Sequence, residues 1–274
     1  MGQGIRFLSV KRSHGLGNVF MLMPVLDSLR EKGYQIHLVT DERWVTTLQV
    51  LRPEYLINTH CHPDTIDLDL ITASKRPGTH RIEEYANILG VDIPATSLKL
   101  TIPSEWQAEF LPWKGAIGFA PQAGHPSRQW PDQYSFDLAA ALLDSPLVLI
   151  GTDREPAIPC NFDSRAKLRL DQLMGLLSLL QLLICMDSGI LHLGTALGVR
   201  TVCIFGGIDP RFRTLENQPV LAMQADLDCC PCNKRETCSE RYDCMKVMSP
   251  QHVLLAIGNF PPDGRRSIHR IRAC

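Results

Sequence analysis

The sequence carries no excess of charge of either sign. Its 28 Lys and Arg against 29 Asp and Glu leave a net charge of −1 with histidine neutral. No protein-wide field therefore draws it to nucleic acid or to an anionic membrane, and any anionic ligand must be held locally. Long apolar runs are missing too. The longest uncharged one, Leu173 to Met186, is interrupted by Gln181 and falls short of the roughly 20 residues of a bilayer span. It reads as a buried helix running into a strand. Met1-Gly2-Gln3-Gly4-Ile5-Arg6 lacks the charged start, apolar stretch and cleavage site of a secretory signal, and the Ser or Thr that myristoylation of Gly2 would want. The expectations are no transmembrane segment, no nucleic-acid partner and a cytoplasmic location. There is no repeat of fixed period. Hydrophobic content of 45% and charged content of 21% argue against extensive disorder.

The chain does have length, strand and helix alternation, and cysteine. Its 274 residues correspond to two domains at about 150 residues each. Ile5 to Val10 reads as a strand, Asn18 to Lys32 as a helix and Gln35 to Thr40 as a second strand. This is a βαβ unit, which implies a parallel sheet with a right-handed crossover. Leu56 to Asn58 and Asp67 to Ile71 read as weaker strands, and Arg81 to Leu89 as a helix. Ile102 to Gly115 carries Pro103, Pro112 and two tryptophans without periodicity, and the domain boundary is placed there. A second alternation follows: strand Ala116 to Ala120, helix Asp132 to Leu143, strand Leu147 to Ile150, helix Asp171 to Leu180, strand Leu182 to Met186, helix Ile190 to Leu197 and strand Thr201 to Phe205. The predicted architecture is α/β, with two Rossmann-like domains facing a cleft. Residues 1–104 form the first domain and 105–258 the second; 259–274 is a basic tail, read as a partly disordered end.

Three segments after strands carry polar chemistry. In Lys11-Arg12-Ser13-His14-Gly15-Leu16-Gly17-Asn18, Gly15 and Gly17 let backbone N–H groups approach a ligand at a helix start. No third glycine completes a dinucleotide fingerprint, which weakens a nicotinamide oxidoreductase reading, and a tight strand-to-helix turn explains these glycines equally well. In Met186-Asp187-Ser188-Gly189-Ile190-Leu191-His192, Asp187 and Ser188 suit a helix cap. The same residues suit a phosphate site at the carboxyl end of a strand. His192, one turn inside, reads as a packed histidine. In Pro121-Gln122-Ala123-Gly124-His125-Pro126-Ser127-Arg128-Gln129-Trp130-Pro131, Gly124 offers a small-residue opening, Arg128 a guanidinium able to clamp a diphosphate, and Trp130 an anchor into the core.

Ten cysteines are present, and Cys229, Cys230, Cys232, Cys238 and Cys244 lie close together. In a reducing compartment such a cluster points to a metal site before a disulfide framework. Cys229, Cys232, Cys238 and Cys244 have spacing that can close a tetrahedron of sulfurs around a structural zinc or iron ion. Cys230 is left as a bystander or alternative ligand, and His60-Cys61-His62 reads as a surface turn.

Together these motifs, with Pro24, the Phe205-Gly206-Gly207-Ile208-Asp209-Pro210 loop and the segment from Cys229 to Val253, resemble glycosyltransferase family 9, the bacterial ADP-heptose:lipopolysaccharide heptosyltransferases. The resemblance is patchy before Leu100 and good over about the last 140 residues. It implies a GT-B fold with a shortened N-terminal, acceptor-side domain and a nucleotide-sugar site in the C-terminal domain, formed by Gly124, Arg128, Asp187, Ser188, Gly189, His192 and Gly206. It implies inverting transfer of a heptose or related sugar, ADP-heptose first, to a hydroxyl of a glycan, lipopolysaccharide core or protein. Arg128 would neutralise the leaving nucleotide. Asn18 stands where the family carries a candidate base Asp. An amide cannot serve as that base, so His14 is the expected substitute; otherwise the chain is a weakened nucleotide-sugar-binding or assembly protein. The branch that acts on autotransporter proteins implies iron at the cysteines and a homo-oligomer.

Overall fold

Parallel strands buried on both faces need near-continuous apolar runs, and the second half of the chain supplies them. In the computed structural model, which describes residues 6–71, 78–92, 98–153, 156–233, 238 and 241–272, the chain divides into two compact units, Met1–Thr101 and Ile102–Cys274. Met1 to Ile5, read for a signal sequence, and Cys274 lie outside the described residues.

The first unit comprises β1 (Arg6–Lys11), α1 (Leu16–Glu31), β2 (Tyr34–Val39), α2 (Glu42–Leu51), β3 (Leu56–Asn58), β4 (Ile66–Asp67), α3 (Leu68–Ile71) and α4 (Arg81–Ile88). Its four-stranded sheet has the order β3-β2-β1-β4, with every pairing parallel. Helix α1 buries Val19, Phe20, Leu22, Met23, Val25 and Leu26 and packs on β2 and α4. The strand expected over Asp67 to Ile71 is corrected: pairing stops at Asp67 and the chain turns helical. The Asp67 carboxylate accepts from the N–H of Asp69 and Leu70, at 2.9 and 3.2 Å. It thereby satisfies donors that a continuing strand would have given to a neighbour.

The second unit comprises β5 (Ile117–Ala120), α5 (Asp132–Ala141), β6 (Leu147–Leu149), β7 (Phe162–Asp163), α6 (Leu170–Leu179), β8 (Leu182–Met186), α7 (Gly189–Ala196), β9 (Thr201–Phe205), β10 (Val220–Asp226), α8 (Asp243–Lys246), α9 (Pro250–Gly258) and β11 (Ser267–Arg272). Its sheet has seven strands in the order β11-β10-β9-β8-β5-β6-β7. Strands β5, β8 and β9 are buried at every residue. The aperiodic stretch before β5 is a 3-10 helix, Ser104–Trp113, packed on α6. The basic segment read as a loose end instead forms β11, paired in register with β10. Its Ile268 and Ile271 are three residues apart and so fall on opposite faces of the strand, which leaves no alternation in the sequence to mark it. No helix of the described residues is long and apolar enough to cross a membrane.

Candidate functional site

In open parallel sheets the strand order reverses at one point, and the loops leaving the two strands there diverge to form a crevice that takes ligands. In the first unit the reversal lies between β1 and β4, and in the second between β5 and β8. The three motifs of the sequence leave three of these four strands.

At the first reversal, Lys11 is in register with Asp67, so residues two beyond each strand end also meet. Ser13 donates to Asp69 Oδ2 through its N–H at 2.9 Å and its hydroxyl at 2.6 Å. Arg12 Nη1 lies 3.0 Å from Oδ1. His14 Nδ1 lies 3.2 Å from Asp69 Oδ2, with the imidazole 81% exposed and the carboxylate 9%. Burial pushes the Asp69 carboxyl up, but the Ser13 and His14 hydrogen bonds and the Arg12 charge outweigh it and hold the group below the usual carboxylate range. Gly15 adopts φ 76°, a backbone conformation that requires glycine, while a Cβ there would sit 2.8 Å from the side-chain Nδ2 of Asn18, which could turn aside. Asn18 itself donates to the His14 carbonyl at 3.4 Å, bracing the turn. Gly17 is buried in α1. Asp69 escaped the sequence reading because Asp67-Leu68-Asp69-Leu70 alternates as a strand does.

At the second reversal Ala120 of β5 is in register with Cys185 of β8, which brings Arg128 and Asp187 together. Arg128 Nη1 donates to the Asp187 carbonyl at 2.7 Å and lies 3.7 Å from Oδ2. Arg213, which sequence reading missed, has Nε 3.8 Å from Asp187 Oδ1; its signal was a basic residue in the loop after a buried strand. Two guanidinium groups thus face one carboxylate that is 2% exposed. Ser188 is the N-cap of α7 but makes no side-chain cap hydrogen bond. Ser188 Oγ, Asp187 Oδ2 and Arg128 Nε are buried without a hydrogen-bond partner. The capping expected of Asp187 and Ser188 is therefore not what their side chains do. They leave the α7 N-terminus, with Gly189 as its first residue, open to an anion beside two cations.

The surrounding loop is tied down. Ala123 N–H donates to Gln129 Oε1 at 3.1 Å and the buried Trp130 donates Nε1–H to the Met248 carbonyl at 2.7 Å, as the anchoring role of Trp130 requires. A Cβ on Gly206 would fall 2.1 Å from the Ser127 carbonyl, whereas one on Gly124 meets nothing within 4 Å. Gly206 thus lets the turn carrying Arg128 close onto β9, and Gly124 stays open. His192 is buried, and burial lowers it from 6.5 to about 4. Its folded value is depressed, so the unfolded chain binds the extra proton. Stability from the neutral ring is complete above 6.5 and is lost as pH falls toward 4, a change of about 3 kcal/mol. Urea unfolding across that window is expected to show this loss, and His192→Gln to flatten it.

The cysteine cluster is arranged differently from its spacing. Cys230, expected as a bystander, shares a hydrogen bond with Cys244, which holds the Cys244 thiol down and pushes that of Cys230 up. Cys230 Sγ also lies 3.5 Å from the Gly206 carbonyl. Cys229, Cys232 and Cys238 are exposed. Among the described residues no three His, Cys, Asp or Glu side chains gather to hold a metal ion. As arranged, the four sulfurs Cys229, Cys232, Cys238 and Cys244 do not fit a tetrahedral site.

Two all-parallel Rossmann-like sheets, each with polar residues at its reversal, define the GT-B class of glycosyltransferase fold. A profile of glycosyltransferase family 9 (heptosyltransferase) matches residues 85–243, and the chain belongs to that family. Lipooligosaccharide heptosyltransferase 2 of Campylobacter jejuni is 24% identical over 203 residues, 66% of this chain and 64% of that protein. The chain thus spans less than two thirds of that relative's length. The structure of a family 9 glycosyltransferase from Veillonella parvula superposes with a TM-score of 0.71 at 18% identity, covering 95% of this chain and 98% of the other. The iron-containing dodecameric glycosyltransferase TibC of enterotoxigenic E. coli gives a TM-score of 0.76 at 16% identity, covering 93% and 76%. TibC is also known in complex with ADP-D-beta-D-heptose.

Proposed function

We propose that the protein transfers a heptose or closely related sugar, with inversion, from a nucleotide-diphosphate donor to a hydroxyl of a glycan acceptor in the cytoplasm, with ADP-heptose as the first donor to test. The observation that carries this reading is the uncapped N-terminus of α7 beside Arg128 and Arg213, with Ser188 Oγ and Arg128 Nε buried and unpartnered. A diphosphate supplies the missing acceptors and the negative charge. Gly124 leaves room beside it, and the neutral His192 adds no competing charge. In the transfer, the acceptor oxygen forms a bond to the anomeric carbon as the bond from that carbon to the diphosphate oxygen breaks. The electron pair leaves with the nucleotide, where Arg128 offsets its charge. The acceptor proton goes to His14, since Asn18 has no basic atom at neutral pH.

Calorimetry with ADP-heptose, and nucleotide release with and without a lipopolysaccharide core acceptor, tests this. Binding and acceptor-dependent release are expected; failure of every sugar nucleotide to bind overturns the reading. Binding without release would leave a nucleotide-sugar-binding protein.

A structural iron or zinc ion at Cys229, Cys232, Cys238 and Cys244 rests on their spacing and on iron in TibC, against the observed pairing of Cys230 with Cys244. Stoichiometric metal in freshly purified protein would carry that proposal, and its absence would remove it. The dodecameric TibC is the ground for proposing a homo-oligomer, which light scattering reads directly.

A further inference from the structure

We infer that Asp69 is a positioning residue that fixes His14 for proton abstraction: its carboxylate accepts a hydrogen bond from Nδ1–H and leaves Nε2 as the basic atom. The inference rests on the transferase reading for its consequence, but its geometry stands alone. Asp69 lies in α3, two residues past the end of β4, and the register of β4 with β1 sets it against the turn that carries His14. The Ser13 N–H, Ser13 hydroxyl and His14 N–H all donate to its carboxylate, and Arg12 Nη1 lies 3.0 Å from Oδ1. A carboxylate so held cannot swing away from the imidazole. A buried acid oriented on one ring nitrogen of an exposed histidine dictates the tautomer and stabilises the imidazolium once the other nitrogen has taken a proton.

The charged groups facing His14 are few. From the end of β1 comes Arg12 and from α3 Asp69. From the start of α2 comes Asp41, whose carboxyl is held down to about 2 by hydrogen bonding to Arg43 and also feels the His14 charge. Both carboxylates are ionised at neutral pH, so the imidazolium formed by proton abstraction is flanked by two anions. Of these charged groups Asp69 is the one in contact with the ring, at Nδ1, which the Ser13 hydroxyl also approaches at 3.3 Å. Proton balance is simple: Nε2 gains the acceptor proton, Nδ1 keeps its own, and Asp69 stays ionised throughout.

Nitrogen NMR of the full-length protein tests this, with the His14 signals assigned by their loss in His14→Gln. Neutral His14 in the wild type is expected as the Nδ1–H tautomer, and an Nε2–H tautomer overturns the proposal. In Asp69→Asn the preference for the Nδ1–H tautomer is expected to be lost, while kcat falls about a hundredfold and the donor KM is unchanged. An Nδ1–H preference retained in Asp69→Asn overturns the proposal. If Asp69→Asn does not fold because Arg12 loses the Asp69 charge, the wild-type tautomer still decides. The tautomer readouts need no turnover, so they separate failure of the Asp69 role from failure of the transferase reading.

Discussion

His14→Ala is expected to lower kcat by about 10² to 10⁴-fold and to abolish the acid limb of the rate profile, leaving donor affinity intact. The loss follows from the turn itself. Asn18 offers no basic atom, and its side-chain amide is engaged with the His14 carbonyl. The imidazole is exposed and ordered from behind by Asp69. In the proposed transfer its exposure brings it to an acceptor hydroxyl, and the Asp69 carboxylate lies against the ring nitrogen that faces away from that hydroxyl. The proposed donor-binding groups all lie in the second unit, so calorimetry with sugar nucleotide should give the wild-type constant. Unchanged turnover with an intact rate profile would remove His14 from the chemistry and leave the glycine turn a binding element only.

Gly175→Ala is expected to destabilise the protein by about 2 to 3 kcal/mol, although helix propensity alone predicts a gain of about 1 kcal/mol from the same change. The sign is decided by the neighbour. Gly175 sits in α6, and a Cβ there would lie 1.8 Å from the carbonyl oxygen of Trp106 and 2.6 Å from its carbon. Both are backbone atoms of the 3-10 helix Ser104–Trp113, so no rotamer change relieves the overlap. That segment is also held to α6 by Gln107 Nε2 donating to Ser178 Oγ at 2.9 Å and by Gln172 Nε2 donating to Glu109 Oε2 at 3.1 Å. Trp113 stacks on Phe162 at 5.0 Å. Separating the two elements to fit a methyl would strain all of these. Thermal unfolding should show Tm lower by about 5 to 10 °C; a raised Tm would mean that the segment moves aside freely.

Much of this was legible in the sequence wherever one contiguous stretch carried the signal. Thr201 to Phe205 is a strand because a buried parallel strand leaves no choice but apolar and β-branched residues. The motifs around His14, Arg128 and Asp187 were legible because glycines, a guanidinium and helix-capping residues followed such strands. Asp69 was not legible, since its importance comes from a partner 55 residues away fixed by sheet register, and its local sequence imitates a strand. Arg213 was hidden in an irregular loop for the same reason. The cysteines show the opposite error. Their spacing is compatible with a tetrahedral site, but the chain between them decides which sulfurs meet, and it brings Cys230 to Cys244.

The strand formed by Ser267–Arg272 bears on solubility. Without it, the outer edge of the second sheet would be β10, Val220–Asp226, buried along all but its last residue and ready to pair with another chain. With it, the edge presents Arg270 and Arg272, side chains whose charge and bulk discourage a further strand from docking. The basic stretch is therefore a guard against aggregation, built from residues whose composition had suggested a loose end.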